Sequence, residues 1–133
     1  MIAIVPKPSP AAADLKRLRR YCTLSLSAIR QAAAERRPIR AFEAFAGAWH
    51  QERTLLAEIA RAYASDERVP YEIVEVEEGG EEAVLSPEAL RGHLRYLREI
   101  ELETQRQADL ETGAIADEAA FEPHDEDWGA GLL

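Results

Sequence analysis

The chain has little of the chemistry on which small metalloproteins and secreted domains depend. Cys22 is the single cysteine among 133 residues, which excludes an intramolecular disulfide and any zinc site built from several cysteines. We expect this thiol to pack as a small apolar side chain on the helix face of Leu15 and Leu18, beside Leu26. Composition alone therefore excludes disulfide-rich domains and proteins whose metal site is built from several cysteines.

Histidine is also scarce, and the glycines do not form a ligand-binding loop. His50, His93 and His124 lie far apart, and none has a second histidine or a cysteine at zinc-ligand spacing. The acidic run after His124 is typical of a solvated segment. Acidic residues follow Gly79-Gly80, which excludes a phosphate-binding loop. We therefore expect no metal, no cofactor and no enzymatic activity.

Long apolar runs are missing as well. No run approaches the roughly 20 residues that a membrane span requires. The apolar residues 2–5 stop at Pro6, well short of the apolar segment of a signal peptide. We expect no membrane association and a cytoplasmic location.

The residues that are present suit one globular domain with an uneven charge. The chain is 47% apolar and 31% charged, and a chain of this length buries roughly two-thirds of its unfolded surface. Residues 1–40 carry nine Lys+Arg against two Asp+Glu, a net charge of +7, and residues 41–133 carry seven against twenty-three, a net of −16, which together give the total of −9. An acidic molecule repels nucleic acids and anionic membranes and attracts basic partners.

Strand signals occur at three or four places. Residues 2–5 form a β-branched apolar run, residues 39–45 alternate imperfectly, and residues 71–77 have the highest β-branched content. A turn at residues 79–80 predicts that residues 82–85 return as a short antiparallel strand.

Helical periodicity and capping residues predict four helices. The first helix covers residues 11–22, with Ser9 as a cap and Pro10 as a tolerated first helical residue. The second is a short segment through Ala33, capped by Thr23 or Ser25. The third covers residues 49–63, and the fourth covers residues 87–112 and is capped by Ser86. The elements together predict an α+β fold, with a small three- or four-stranded sheet covered by helices in the order β-α-α-β-α-β-(β)-α. Residues 1–112 are expected to form a single α/β domain.

The final helix and the residues after it are the least regular part of the pattern. A helix over residues 87–112 is near 40 Å long, and its second half carries few large apolar side chains, so it projects, frays or packs on a partner. Residues 113–133 form an acidic tail, and residues 114–133 contain six Asp+Glu and no Lys or Arg. Such a tail is typical of a flexible interaction segment, and the alternative is that it folds back on the basic first helix.

The order of elements and one local segment resemble a known family. The segment Leu24-Ser25-Leu26-Ser27-Ala28-Ile29-Arg30 is similar to a turn in the C-terminal domain of the bacterial ribosomal stalk protein, whose fold is related to that of the Clp protease's N-degron adaptor. The resemblance covers about residues 1–78 and implies that Leu24 and Leu26 are core leucines. The stalk family has glycines at Thr23 and Ser25 and a lysine at Ser27, and only Arg30 keeps a charge. Those lysines contact translation factors, and the adaptor's acidic peptide pocket matches no residues here, so the resemblance implies a fold and neither activity.

The pattern favours a non-catalytic protein-binding module that presents an acidic surface to a basic protein, as an immunity-type inhibitor or an adaptor does. This interpretation depends on the −16 charge of residues 41–133 and on the long final helix. It requires that the protein's own arginines leave the glutamates unpaired. The candidate partner-binding residues are Glu72, Glu75, Glu77, Glu78, Glu81, Glu82 and Trp128.

Two alternatives remain open. A translation- or RNA-associated factor would use the basic N-terminal helices, although the acidic remainder and the absence of interleaved aromatics argue against nucleic acid. An undetected enzyme would need Cys22 or a histidine exposed in a pocket beside a carboxylate. The candidate basic patch is Lys16, Arg17, Arg20, Arg36 and Arg37, with Arg19 and Arg40 nearby in sequence.

Overall fold

A four-stranded antiparallel sheet and four α-helices make up the part of the chain that the computed structural model describes, residues 1–66 and 68–131. The strands are β1 (Ile2–Pro6), β2 (Arg40–Phe42), β3 (Tyr71–Val76) and β4 (Glu82–Val84), in the order β2-β1-β3-β4. The helices are α1 (Ala12–Arg19), α2 (Leu26–Glu35), α3 (Trp49–Ser65) and α4 (Pro87–Thr112), and a short 3₁₀ helix covers Glu118–Ala120. The predicted α+β class and the predicted order of elements are confirmed.

Serine caps fix the starts of two helices as predicted. The Ser25 hydroxyl accepts a hydrogen bond from the Ala28 amide at 3.2 Å, and the Ser86 hydroxyl accepts one from the Ala89 amide at 3.0 Å. Each bond satisfies one of the amides that the first turn of a helix leaves without a partner. The caps therefore set the starts of α2 and α4.

The first helix differs from the prediction at both ends. Ser9 has a left-handed backbone (φ 54°), so it does not cap α1, and the Asp14 carboxylate instead accepts from the Ala11 amide at 3.0 Å. The helix ends at Arg19, which places Cys22 after it. The Cys22 side chain is partly buried against the helical core, and its Sγ lies 3.7 Å from the Leu18 carbonyl oxygen.

The helices pack on one face of the sheet and form the main core. The sheet contributes alternate side chains to this core, and α1 to α4 contribute their apolar stripes, as a two-layer α/β arrangement requires. Its largest fully buried residues are Tyr71, Phe42, Ile4, Leu15, Leu18, Ile29, Leu56, Ile59, Ile73, Leu90 and Leu94. Burial raises the pKa of the Tyr71 phenol, whose hydroxyl donates to the Ile59 carbonyl at 3.3 Å.

The acidic tail packs against α3 and α4 rather than against the basic first helix. Helix α4 continues to Thr112, and Gly113 ends it with a left-handed backbone (φ 77°) that favours glycine. The chain then returns along α4, where the His124 amide donates to the Gln105 side chain at 3.0 Å. Trp128 is buried in the main core at 7% exposure. The expectation of a tail folded onto the first helix is therefore wrong.

Within the described residues, no helix is both long and apolar enough to cross a membrane, α4 included.

Candidate functional site

The side of the sheet opposite the helices has a buried apolar centre and an exposed apolar edge. Ala3 lies opposite Ala41 on one neighbouring strand and opposite Val74 on the other, and Val74 lies opposite Val84. Residues directly opposite each other in an antiparallel pair point to the same side of the sheet. We call this side the open face, and define it by Ala3, Val5, Ala41, Glu72, Val74, Val76, Glu82 and Val84.

The apolar residues of the open face form a cluster separate from the main core. Ala3, Val5 and Val74 are buried against one another, with Val76 packed beside them, and among the described residues this cluster contains only strand side chains. Towards the edge the apolar surface meets solvent, because Val84 is 55% exposed. Met1, which is 46% exposed, exchanges two backbone hydrogen bonds with Val76 and extends the same surface.

The predicted glutamates divide between two sides of the sheet. Glu72 lies opposite Val5 and Glu82 lies opposite Val76, so both belong to the open face. Glu75 lies opposite Ile2 and therefore points to the helix-covered side, where it is partly buried. The sequence placed all six glutamates in one patch, and Glu75 is the correction, because side chains alternate along a strand.

The other three glutamates occupy the turn between β3 and β4. The turn is closed by the Glu77 amide, which donates to the Glu81 carbonyl at 2.9 Å, and by the Gly80 amide, which donates to the Glu77 carbonyl at 2.9 Å. Gly80 has a φ of 83°, in the region that favours glycine. Glu77, Glu78 and Glu81 are all exposed, so the turn presents their carboxylates next to Glu82.

Most of these carboxylates carry no internal counter-charge. Glu72 pairs with Arg36 at 3.1 Å, and both side chains are largely exposed, so the pair contributes little to stability. Across residues 1–66 and 68–131, no lysine or arginine lies within ion-pair distance of the other five predicted glutamates. Among the described residues, the glutamates of the turn and Glu82 are therefore unpaired, as the acidic-surface hypothesis requires, and Glu72 of the open face is the exception.

The predicted basic patch is divided by ion pairs. Arg17 pairs with Asp66 at 2.9 Å, Arg36 with Glu72 at 3.1 Å, Arg37 with Glu35 at 2.5 Å and Arg40 with Glu52 at 3.7 Å. The Arg68 amide and the Arg17 guanidinium together lower the pKa of Asp66. Lys16, Arg19 and Arg20 are exposed beside Leu26 around a groove of about 240 Å³, and none is in an ion pair with a described residue. Of the basic patch and its neighbours, only Lys16, Arg19 and Arg20 are thus left without an ion-pair partner among the described residues.

Trp128, predicted as a partner contact, is instead part of the main core. Its ring packs edge-on against Trp49 with centroids 5.8 Å apart, and its indole N–H donates to Glu101 at 2.6 Å. The Trp128 carbonyl accepts from Arg61 at 3.2 Å. In this conformation Trp128 anchors the tail and is not available to a partner.

A buried cluster of four charged side chains lies beside Trp128, and we call Arg53, Arg98, Glu101 and Asp125 the arginine clamp. The Arg53 guanidinium donates to Glu101 at 2.5 Å and to Asp125 at 2.7 Å, and Arg98 donates to Asp125 at 2.8 Å. The two arginine side chains are only 7% and 8% exposed. Two positive and two negative charges thus balance within the cluster.

The clamp shifts the pKa of its members. Burial of the Asp125 carboxylate acts to raise its pKa, but hydrogen bonds from Arg98, Arg53 and Gln105 outweigh burial, so the pKa lies well below its usual range. Burial likewise acts to lower the pKa of Arg53, and the bonds to Asp125 and Glu101 raise it overall. The Asp125 carboxylate therefore stays ionised while the tail is docked.

The arginine clamp was not predicted from the sequence, although the sequence contains a signal for it. Arg98 and Glu101 continue the buried positions Leu90, Leu94 and Leu97 of α4 at helical spacing. Arg53 lies on the buried stripe of α3 in the same way. A charged residue at a stripe position of a helix indicates a buried ion pair with a partner elsewhere in the chain.

The described part of the chain contains no group of three or more His, Cys, Asp or Glu side chains placed to hold a metal ion. Comparison of the chain with protein-family models, with curated proteins and with solved structures gave no match. The resemblance to the ribosomal stalk domain and the N-degron adaptor therefore stays a prediction, and the function is argued from the open face itself.

Proposed function

We propose that this protein is a non-catalytic binding module that presents its open face to a basic protein partner, as an immunity-type inhibitor or an adaptor does. The observation that carries the proposal is the combination of a sheet face whose apolar edge is exposed at Val84 and Met1 with glutamates in the adjoining turn that have no ion-pair partner among the described residues. Protein interfaces typically have an apolar centre and a polar rim, and a rim of one charge selects partners of the opposite charge.

The size of the open face indicates how such a complex would be built. The strands β1 and β3 have five and six residues, and β2 and β4 have three each. At about 3.4 Å per residue and about 4.8 Å per strand, the whole face covers roughly 280 Å². A stable interface buries about 800 Å² on each partner. The apolar centre is therefore too small by itself, and the β3–β4 turn with Glu77, Glu78 and Glu81 supplies part of the remaining contact.

The charge also argues against self-association through this face. Two copies brought together at the open face would place their unpaired glutamates against each other, and the net charge of each chain is −9. Like charges facing each other across an interface cost several kcal/mol. The same carboxylates attract a basic partner, and the partner associates faster at low salt.

Absence of catalysis is part of the proposal, and the placement of Cys22 supports it. The thiol lies against the main core with its Sγ facing the Leu18 carbonyl, whereas a nucleophile requires access to a substrate and a base at hydrogen-bond distance. A cytoplasmic location is part of the same proposal.

The test is capture of partners from cell lysate with two matched variants. In one, Glu77, Glu78, Glu81 and Glu82 are all changed to Gln, and in the other the exposed Glu58, Glu99, Glu111 and Glu122 are changed to Gln, so that each loses four charges. A partner retained by the wild type and by the second variant, but lost from the first, supports the proposal. Equal retention by both variants contradicts it.

The second candidate function is the RNA-associated one, and Lys16, Arg19 and Arg20 favour it. These cations are exposed and lie side by side, and each phosphate contact they made would be weakened by salt. Nuclease treatment of the lysate separates the two functions. A partner that is lost on RNA digestion, and retained by both glutamine variants, would replace the first proposal with this one.

A further inference from the structure

The groove between α3 and α4 that holds the tail has the chemistry of a peptide-binding site. Its selectivity follows from the arginine clamp, since without Asp125 the two buried guanidiniums would face the single carboxylate of Glu101. An uncompensated buried charge is strongly unfavourable. The groove therefore requires a carboxylate at the position of Asp125. The slot filled by the Trp128 ring takes the side chain three residues later in the bound segment.

The tail satisfies this groove incompletely. Among the described residues, the buried Nε donors of Arg53 and Arg98 have no hydrogen-bond acceptor. The Asp127 carboxylate lies 3.7 Å from the Arg98 Nε, which is beyond hydrogen-bond distance. Because unused buried donors are unfavourable, a ligand that supplied their acceptors would bind this groove better than the tail does.

Open space remains beside the docked tail. A cleft of about 470 Å³ next to Asp125 is lined by Phe45, His50, Arg53, Ile100, Glu101, Thr104 and Gln105. This volume lies in the range of small-ligand and peptide side-chain pockets. The lining combines apolar walls with hydrogen-bonding groups, so the cleft accepts an additional side chain of a bound peptide.

Phe45 at this cleft is held in a strained conformation. Its backbone is left-handed (φ 62°) and its ring is 51% exposed, with the centroid 6.1 Å from that of Trp49. A bulky residue at positive φ is a rare outlier, and such strain is concentrated at binding sites. The conformation keeps an aromatic ring at the cleft instead of in the core.

We propose that this groove is a second binding site, which takes an acidic peptide segment of a partner protein with an aspartate three residues before a tryptophan. The chain's own tail is the resident ligand in cis. Among the described residues, the chain's own tail leaves the cleft beside Asp125 open and the Nε donors of Arg53 and Arg98 without acceptors. The identical tail of a second copy would do the same, so a foreign segment is the chosen occupant. The site is distinct from the open face, since α3 and α4 lie on the other side of the sheet.

The test adds a fluorescein-labelled peptide with the sequence of residues 117–131 to two full-length chains, the wild type and a variant with Asp125→Ala and Trp128→Ala. A tethered tail competes at an effective concentration near millimolar, so we expect the variant to bind the peptide at least about tenfold more tightly than the wild type. Peptides with Asp125→Ala or Trp128→Ala should lose at least about tenfold in affinity. Peptides with Glu122→Ala or Glu126→Ala, whose carboxylates are exposed, are the matched controls.

Circular dichroism establishes that the double variant is folded. If it is unfolded, displacement of the tail is followed in the wild type, where roughly millimolar peptide should shift the Trp128 indole N–H resonance. The absence of binding to both chains, or equal binding of all the peptides, overturns the proposal. Native mass spectrometry that shows tail-exchanged dimers, with no peptide bound, also overturns it.

Discussion

Two regions of this molecule hold carboxylates in opposite environments, one paired with arginines and one exposed to solvent. In the arginine clamp, Glu101 and Asp125 are buried and every oxygen accepts a hydrogen bond from an arginine, an indole or an amide. On the open face and its turn, Glu77 and Glu82 are exposed and lie outside ion-pair distance of the described arginines. Acidity alone therefore does not mark an exposed interaction surface, because the clamp carboxylates are paired with arginines that hold the chain's own tail.

The largest expected effect follows from removing the anchor of the clamp region. Trp128→Ala deletes a buried indole and leaves a cavity beside Trp49, so we expect the free energy of unfolding to fall by about 3–5 kcal/mol. Urea denaturation measures the change. Tyr96→Ala, at a position that is 59% exposed on α4, is the control and should change stability by less than about 0.5 kcal/mol. Equal losses for the two variants would mean that the tail is not docked.

A smaller loss is expected when the clamp loses one charge and keeps its shape. Asp125→Asn leaves Arg53 and Arg98 facing one carboxylate, and we expect a loss of about 2 kcal/mol, since hydrogen bonds to charged groups are worth about 1.5–3 kcal/mol. Glu126→Gln is the matched control, because the Glu126 side chain is exposed and is in no ion pair with a described residue, and it should cost less than about 0.5 kcal/mol. If both variants cost the same, the clamp does not hold the tail.

The docked tail should respond to acid only at low pH. The released Asp125 has an ordinary pKa of about 3.9, and docking lowers that pKa, so the released state binds more protons and acid favours release. The stabilisation is complete above about pH 5 and declines progressively below about pH 4. The indole N–H resonance of Trp128 should therefore keep its docked position from pH 8 to pH 5. Loss of that position near pH 6 would contradict the assignment of the clamp.

The smallest expected effect on stability concerns the open face. Changing Glu77, Glu78, Glu81 and Glu82 to Gln removes exposed charges with no internal partner, so the free energy of unfolding should change by less than about 0.5 kcal/mol or rise slightly as repulsion falls. Thermal denaturation at low salt checks this result. A loss above about 2 kcal/mol would show that these carboxylates have internal partners after all.

The sequence predicted the local structure better than the site. The capping serines Ser25 and Ser86 and the β-branched residues of β3 specify their elements through contacts within a few residues, so the order of elements was predictable. The ends of α1 were not, because Ser9 adopts a left-handed backbone and Asp14 takes over the capping bond.

The site residues divide according to the range of the interactions that fix them. The exposure of the turn glutamates could be predicted from sequence, because a run of charge beside a glycine turn is a local pattern, and their role in binding stays a prediction. Glu75 was assigned to the wrong side although the alternation of side chains along a strand already separates it from Glu72. Only the choice of which side faces the helices depends on pairing with β1. Trp128 and the arginine clamp depend on contacts between residues as far apart in the chain as Trp49 and Trp128, or Arg53 and Asp125, which no local pattern specifies.

The most direct test of the open face changes its apolar edge and compares the result with a matched site on a helix. Val84→Lys places a positive charge beside the glutamates at a position that is 55% exposed, and Tyr96→Lys makes the same change at a position that is 59% exposed. The measurement is the affinity of each variant for the partner that the wild type captures. We expect Val84→Lys to weaken binding at least about tenfold and Tyr96→Lys to leave it unchanged. Unchanged binding by Val84→Lys, or equal losses in both variants, would contradict the assignment of the open face as the binding surface.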